Sequence, residues 1–121
     1  MIHISDKYRC MLYKGDTDFR KSFHGLAAIV RQQMACDVLN GDVYVFISKR
    51  RNAIKLLRFE GDGFAIFYKR LEKGTYEMPS YDSESGSMLI TDNELIFILK
   101  GVALKKVKYR PRYSHNTRFC E

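Results

Sequence analysis

Three short cationic clusters carry the densest chemistry in this chain. Lys49-Arg50-Arg51 stand between two apolar runs, with Ser48 before them and Asn52 after. Cations at the turn of a two-stranded ribbon can enter a DNA groove or lie along phosphates. Guanidinium groups supply the paired donors that phosphate oxygens accept. The competing reading is a solvated turn. Arg20-Lys21 follow Asp16-Thr17-Asp18, which offers side-chain acceptors for a helix start. The pair then falls in a first helical turn, where each cation costs ~0.3–1 kcal/mol against the helix dipole. The N-terminus itself attracts anions. A local rule broken without visible gain points to function, unless Asp16 and Asp18 neutralise the pair. The third cluster is Tyr68-Lys69-Arg70-Leu71-Glu72-Lys73. Strand alternation puts Lys69 on one face and Tyr68 with Arg70 on the other. An exposed Tyr beside Arg can stack on a base or sugar, although a ring in the core with its hydroxyl at the rim is the commoner fate.

Other chemistry is thinner. Asp16 and Asp18, joined by Glu60 and Asp62 from another turn, would suit a hard divalent ion. Helix caps and Asp-Gly turns account for the same residues without metal. His3, His24 and His115 are far apart, and no HxxxH, HExxH or CxxC spacing occurs, so no zinc site is assigned. Cys10, Cys36 and Cys120 form an odd, widely spaced set that fits free thiols in a reducing cytosol. Nothing matches GxSxG, Walker A or GxGxxG, and no nucleophile has a recognisable partner. No cofactor is expected.

The elements that must position the cationic clusters follow from periodicity. Tyr8–Tyr13 is short and β-prone. Phe19, Phe23, Leu26, Val30 and Met34 recur at helical steps, predicting a helix over 18–36. Gly25 inside it suggests a close packing contact. Asn40-Gly41-Asp42 is a turn, and Val43–Ile47 is apolar on both faces like a central strand. Strands over 54–60 and 64–71 follow, separated by Gly61-Asp62-Gly63, which makes hairpins and an antiparallel meander. Residues 77–87 read as a loop, and Met88-Leu89-Ile90 as a short strand. Thr91 and Glu94 form a capping box for an apolar helix closed by Lys100 and Gly101. The expected fold is α+β: one long helix on a mainly antiparallel sheet of about four strands, with a short second helix near the C-terminus. The expected core includes Phe23, Leu26, Val30, Val45, Ile47, Leu56, Phe64 and Ile66.

The 121 residues make one domain over 1–101 and a basic C-terminal arm over 102–121 that orders on a partner. Lys plus Arg number 21 against 14 Asp plus Glu, a net charge of +7, which favours anionic partners and nucleic acid first. The charge is segregated. Residues 74–99 hold five acids and no Lys or Arg, between a basic body and a basic tail. No apolar run is long enough for a membrane helix, and the start lacks a secretory signal. A cytoplasmic location is expected.

Against this background, Thr17-Asp18-Phe19-Arg20-Lys21-Ser22-Phe23-His24-Gly25-Leu26 resembles a "PTDMRKxxDGL" segment of the insertion sequence 66 family accessory protein. Gly41–Phe46 with Lys49-Arg50-Arg51-Asn52 and Ile54-Lys55-Leu56-Leu57 look like its "GxxFVFxxRRxxxxKxL" run. Gly61–Phe64 and Tyr68–Gly74 look like its "DGxGFxLxYKRLExG" block. The likeness spans roughly residues 8 to 101. Asp16 replaces the usual Pro, Phe19 the usual Met and His24 the usual Asp. The resemblance implies a bacterial mobile element whose larger transposase holds the catalytic acids, so this chain need not be an enzyme. It raises function over structure for Arg20, Lys21, Arg50, Arg51, Lys69 and Arg70; with Lys49, Tyr68 and Lys73 of the clusters above and Lys55 of the matched run, these make the candidate surface. The first reading is non-catalytic binding of transposon-end DNA. The second is a protein–protein adaptor docking on the transposase of the same element or on another accessory protein. A metal-dependent nuclease ranks last.

Overall fold

The computed structural model describes residues 9–79 and 86–101. Among these the chain forms β1 (Cys10–Tyr13), α1 (Phe23–Gln32), a short 3-10 turn (Val38–Asn40), β2 (Val43–Ile47), β3 (Ala53–Phe59), β4 (Phe64–Arg70), β5 (Ser87–Ile90) and α2 (Asp92–Lys100). The five strands make one sheet in the order β4-β3-β2-β1-β5. The meander β2–β3–β4 is antiparallel, and β5 is antiparallel to β1. β1 and β2 are parallel, joined by the crossover through α1.

Alternation along the strands divides the core in two. Tyr44, Phe46 and Leu57 pack with Leu26, Ala27 and Val30 of α1 on one face. Val43, Val45, Ile47, Ile54 and Leu56 pack with Leu95 and Ile98 of α2 on the other. A helix on each face makes three layers. That is why every residue of β2 is buried and why the strand reads apolar on both sides.

The structure corrects several expectations. The sheet has five strands, not about four, and is mixed. α1 has ten residues rather than nineteen or so. It starts after Ser22, because residues 17–21 are used otherwise: Thr17 forms a parallel bridge with Ser48, and Lys21 N–H donates to Asp18 O at 3.0 Å in a turn. It ends where Ala35 adopts a left-handed φ of 55° and Cys36 N–H reaches back to Val30 O. Arg20 and Lys21 therefore precede the helix and do not occupy its first turn. Phe23 is 40% exposed, and Phe64 and Ile66 only flank the core. Leu26, Val30, Val45, Ile47 and Leu56 are buried as expected. A Cβ on Gly25 would lie 2.9 Å from Lys21 Cβ, so the close contact there is real. The capping box forms: Thr91 N–H donates to Glu94 Oε1 at 2.8 Å, and Glu94 N–H to Thr91 Oγ1 at 3.0 Å. The C-terminal arm, and residues 80–85 of the loop, lie outside the described residues.

Candidate nucleic-acid interface

β2 ends, β3 begins and β4 ends at the same edge of the sheet, because antiparallel neighbours bring alternate ends together. β1 runs parallel to β2, so the loop leaving β1 emerges there too. Three segments distant in sequence meet at this edge: 16–22, 48–52 and 68–73. They carry eight exposed cations, Arg20, Lys21, Lys49, Arg50, Arg51, Lys69, Arg70 and Lys73, against the three exposed carboxylates Asp16, Asp18 and Glu72.

The Lys49–Arg51 tip is tightly held. Arg51 N–H donates to Ser48 O at 2.8 Å, Ser48 N–H to Ala53 O at 3.0 Å and Tyr76 N–H to Arg51 O at 2.6 Å. Ser48 Oγ donates to Asn52 Oδ1 and accepts from Ala53 N–H. Arg51 sits at φ 63°, a left-handed conformation that costs a residue with a Cβ ~1–2 kcal/mol. Leu71 N–H donates to Asn52 O at 2.8 Å and ties the end of β4 to the same turn.

Lys55 has a different task from its neighbours. It is 7% exposed, and its Nζ donates to Phe19 O at 3.0 Å and Lys21 O at 2.9 Å. The same ammonium lies 5.1 Å from the ring centroids of Phe19 and Tyr68. Burial lowers its pKa, partly opposed by the Asp18 carboxylate. Lys55 thus clamps the 16–22 loop onto the sheet instead of meeting solvent. The alternation of β3 carries a signal of this: Ala53, Lys55, Leu57 and Phe59 share one face, and Leu57 is core.

Arg20 is turned toward its own loop. Its Nε and Nη2 donate to the Asp18 carboxylate at 2.9–3.2 Å, and its backbone N–H donates to Asp18 Oδ1. That fork holds the Asp18 carboxyl down at about 2. Among the described residues, none of the other seven exposed cations is in an ion pair like that of Arg20 with Asp18. Between the loop and the tip opens a cleft of about 510 Å³, lined by Asp16, Thr17, Asp18, Phe19, Ser48, Lys49, Arg50 and Asn52. Sequence reasoning missed Phe19 as the support of Tyr68; the neutralisation it weighed for Arg20 is present as the Asp18–Arg20 fork.

The opposite end of the sheet gathers six carboxylates, although Asp42 there is paired with Arg9 and Arg58 Nε donates to the neighbouring Gly41 O. Asp37 and Asp42 precede β2, Glu60 and Asp62 flank the β3–β4 turn, and Asp92 and Glu94 open α2 next to the start of β1. The seven-residue β3 holds Glu60 and Asp62 ~20 Å from the loop of Asp16 and Asp18. Those four carboxylates therefore do not come together, and among the described residues no cluster of three or more potential metal ligands exists.

A family model described as IS66 Orf2 like protein matches residues 8–109. The chain belongs to the IS66 Orf2-like family. It is thus an insertion-sequence accessory protein, as the three motifs imply. Two proteins of Sinorhizobium fredii, y4hO and y4jC, both named only as uncharacterized, are similar to this IS66 Orf2-like chain. The first is 29% identical over 84% of this chain and 87% of its own length. The second is 29% identical over 92% and 93%. No solved structure matches the chain.

Proposed function

We propose that this accessory protein supports transposition by binding DNA, without catalysis, through the basic edge of its sheet. The observation that carries this reading is the convergence of three separate segments into one pole whose exposed cations, Arg20 apart, have no ion-paired carboxylate among the described residues. A surface shaped only for solubility would intersperse both signs. Arg51 adds weight, since its backbone conformation favours Gly or Asn, and a guanidinium there does nothing for the local fold. α1 opens at the same edge with no acidic residue in its first turn and no side-chain cap, leaving its first N–H groups free for phosphate oxygens. The acidic pole opposite would orient the molecule during approach to DNA. It also favours a second reading, in which that pole docks on a basic face of the transposase or another accessory protein.

The test is a gel shift with terminal DNA of the element, with and without the transposase, repeated over a salt series. Affinity should fall steeply with salt. Replacing Lys49, Arg50 and Arg51 with Ala should flatten the slope by up to ~0.9 per lost phosphate contact. An unchanged slope removes the tip from the interface. Salt-insensitive or absent DNA binding, with transposase capture intact, favours the adaptor.

A further inference from the structure

Tyr68 is 52% exposed beside Lys69 and Arg70 on an edge strand. One side of its ring faces the Lys55 ammonium at 5.1 Å, and Phe19 meets it edge-on, with centroids 5.9 Å apart and planes at 65°. Phe19 and Lys55 are themselves joined, since Lys55 Nζ bonds Phe19 O. The phenol ring is thus held by the Lys55 ammonium and Phe19, while half of the residue stays open to solvent. Phe23, 40% exposed, opens α1 at the same end. Phosphates alone give no reason for a braced, exposed aromatic ring among cations, because duplex DNA hides the faces of its bases. Aromatic platforms flanked by cations suit unpaired strands, whose bases stack while their phosphates meet Lys and Arg.

We infer that the basic pole takes single-stranded DNA, with Tyr68 stacking on an unpaired base. This rests on the DNA-binding reading above and narrows its ligand. Because the ring is already fixed, stacking requires little further ordering.

The chain has no tryptophan, so Tyr68→Trp introduces a single fluorescent reporter. That variant is titrated with oligothymidine of about twelve nucleotides, within the range one ssDNA-binding domain covers, and with a blunt duplex of the same length. Its emission should be quenched by the single strand and unaffected by the duplex. Tyr68→Phe keeps the ring and should bind the single strand like the native chain. Tyr68→Ala should weaken single-strand binding by about fivefold or more and leave duplex binding unchanged. Duplex binding as tight as single-strand binding, with emission unmoved and Tyr68→Ala without selective effect, overturns the inference while leaving DNA binding in place. Failure of both oligonucleotides to bind overturns the inference, whereas the DNA-binding reading falls only if the element's terminal DNA also fails to bind.

Discussion

Replacing Lys55 with methionine probes what holds the basic pole together. The substitution keeps side-chain length and apolar contact with Phe19 and Tyr68 but removes the charge. It deletes two charge-assisted hydrogen bonds, at 3.0 and 2.9 Å, and two ring contacts at 5.1 Å. Each such hydrogen bond contributes ~1.5–3 kcal/mol, and each ring contact ~0.5–1 kcal/mol. Against this, an ammonium buried with no carboxylate in ion-pair range carries a desolvation cost of several kcal/mol, which disappears with it. The freed carbonyls of Phe19 and Lys21 sit in a surface loop and can turn to water. The net loss should be ~1–3 kcal/mol, in the ordinary range for breaking a buried polar contact. In a urea melt the midpoint should drop with the slope unchanged, and the Lys21 amide, now bonded to Asp18 O, should exchange faster. DNA affinity should fall as well, although Lys55 itself is almost wholly buried. The pH dependence has a definite sign. Burial lowers the folded pKa below 10.5, so between those values the unfolded chain binds more protons and the stability contributed by this group rises with pH. Lys55→Met removes that rise. An unchanged or higher urea midpoint, with unaltered exchange across residues 17–22, would refute the clamp.

Replacing both Arg20 and Lys21 with Gln should change stability by no more than ~1 kcal/mol, since the Arg20–Asp18 pair is exposed. DNA affinity should nevertheless fall, read by a denaturant melt beside a titration; a large stability loss makes the pair structural. Gly86→Ala drives a Cβ into the backbone carbonyl of Gln33 at the end of α1, and should lower the melting temperature in line with overpacking of ~1–3 kcal/mol. At alkaline pH, burial pushes the Cys10 thiol up to about 11 and the Tyr44 phenol up to about 12. Both folded values exceed the unfolded ones of 9.0 and 10.0, so the stability they contribute is full below pH 9.0 and is lost as pH rises through these two values. Cys10→Ala should remove the earlier part of that loss in a melting series against pH.

Local signals in the sequence were read well where local forces decide. The Thr91–Glu94 box and the turn at Gly41 depend on neighbours a few residues away, and the apolar run of β2 records burial on both faces within its own five residues; each stands in the structure. The start of α1 was misread because Asp16-Thr17-Asp18 followed by Phe19 and Phe23 mimics a capped amphipathic helix. Asp18 instead spends its carboxylate on Arg20, and Thr17 pairs with Ser48, so the chain makes a separate turn at Phe19-Arg20 and the helix starts only after Ser22. The parallel β1–β2 pair and the β1–β5 pair join residues far apart, for which no spacing rule exists. The candidate cations were visible as three clusters, but their convergence follows only from strand order. Lys55 joined the candidate surface through the family-like run that contains it, and the run says nothing about which way its side chain points.

The mixed sheet also orders the events by which the basic pole comes into being. The β2–β3–β4 meander closes through short turns, whereas β1 reaches β2 only after α1 has crossed over, and β5 reaches β1 from the far end of the described chain. Local pairs carry a smaller loop-closure cost and form ahead of distant ones. A chain folded only as far as the meander would already display Lys49, Arg50, Arg51, Lys69 and Arg70, but Lys55 would still be hydrated and Tyr68 unbraced. Docking of residues 16–22 is then a late step, which buries the ammonium, fixes the ring and adds Arg20 and Lys21 together. The cations of the meander are thus in place before the crossover is complete; only its completion gives the basic surface a shape.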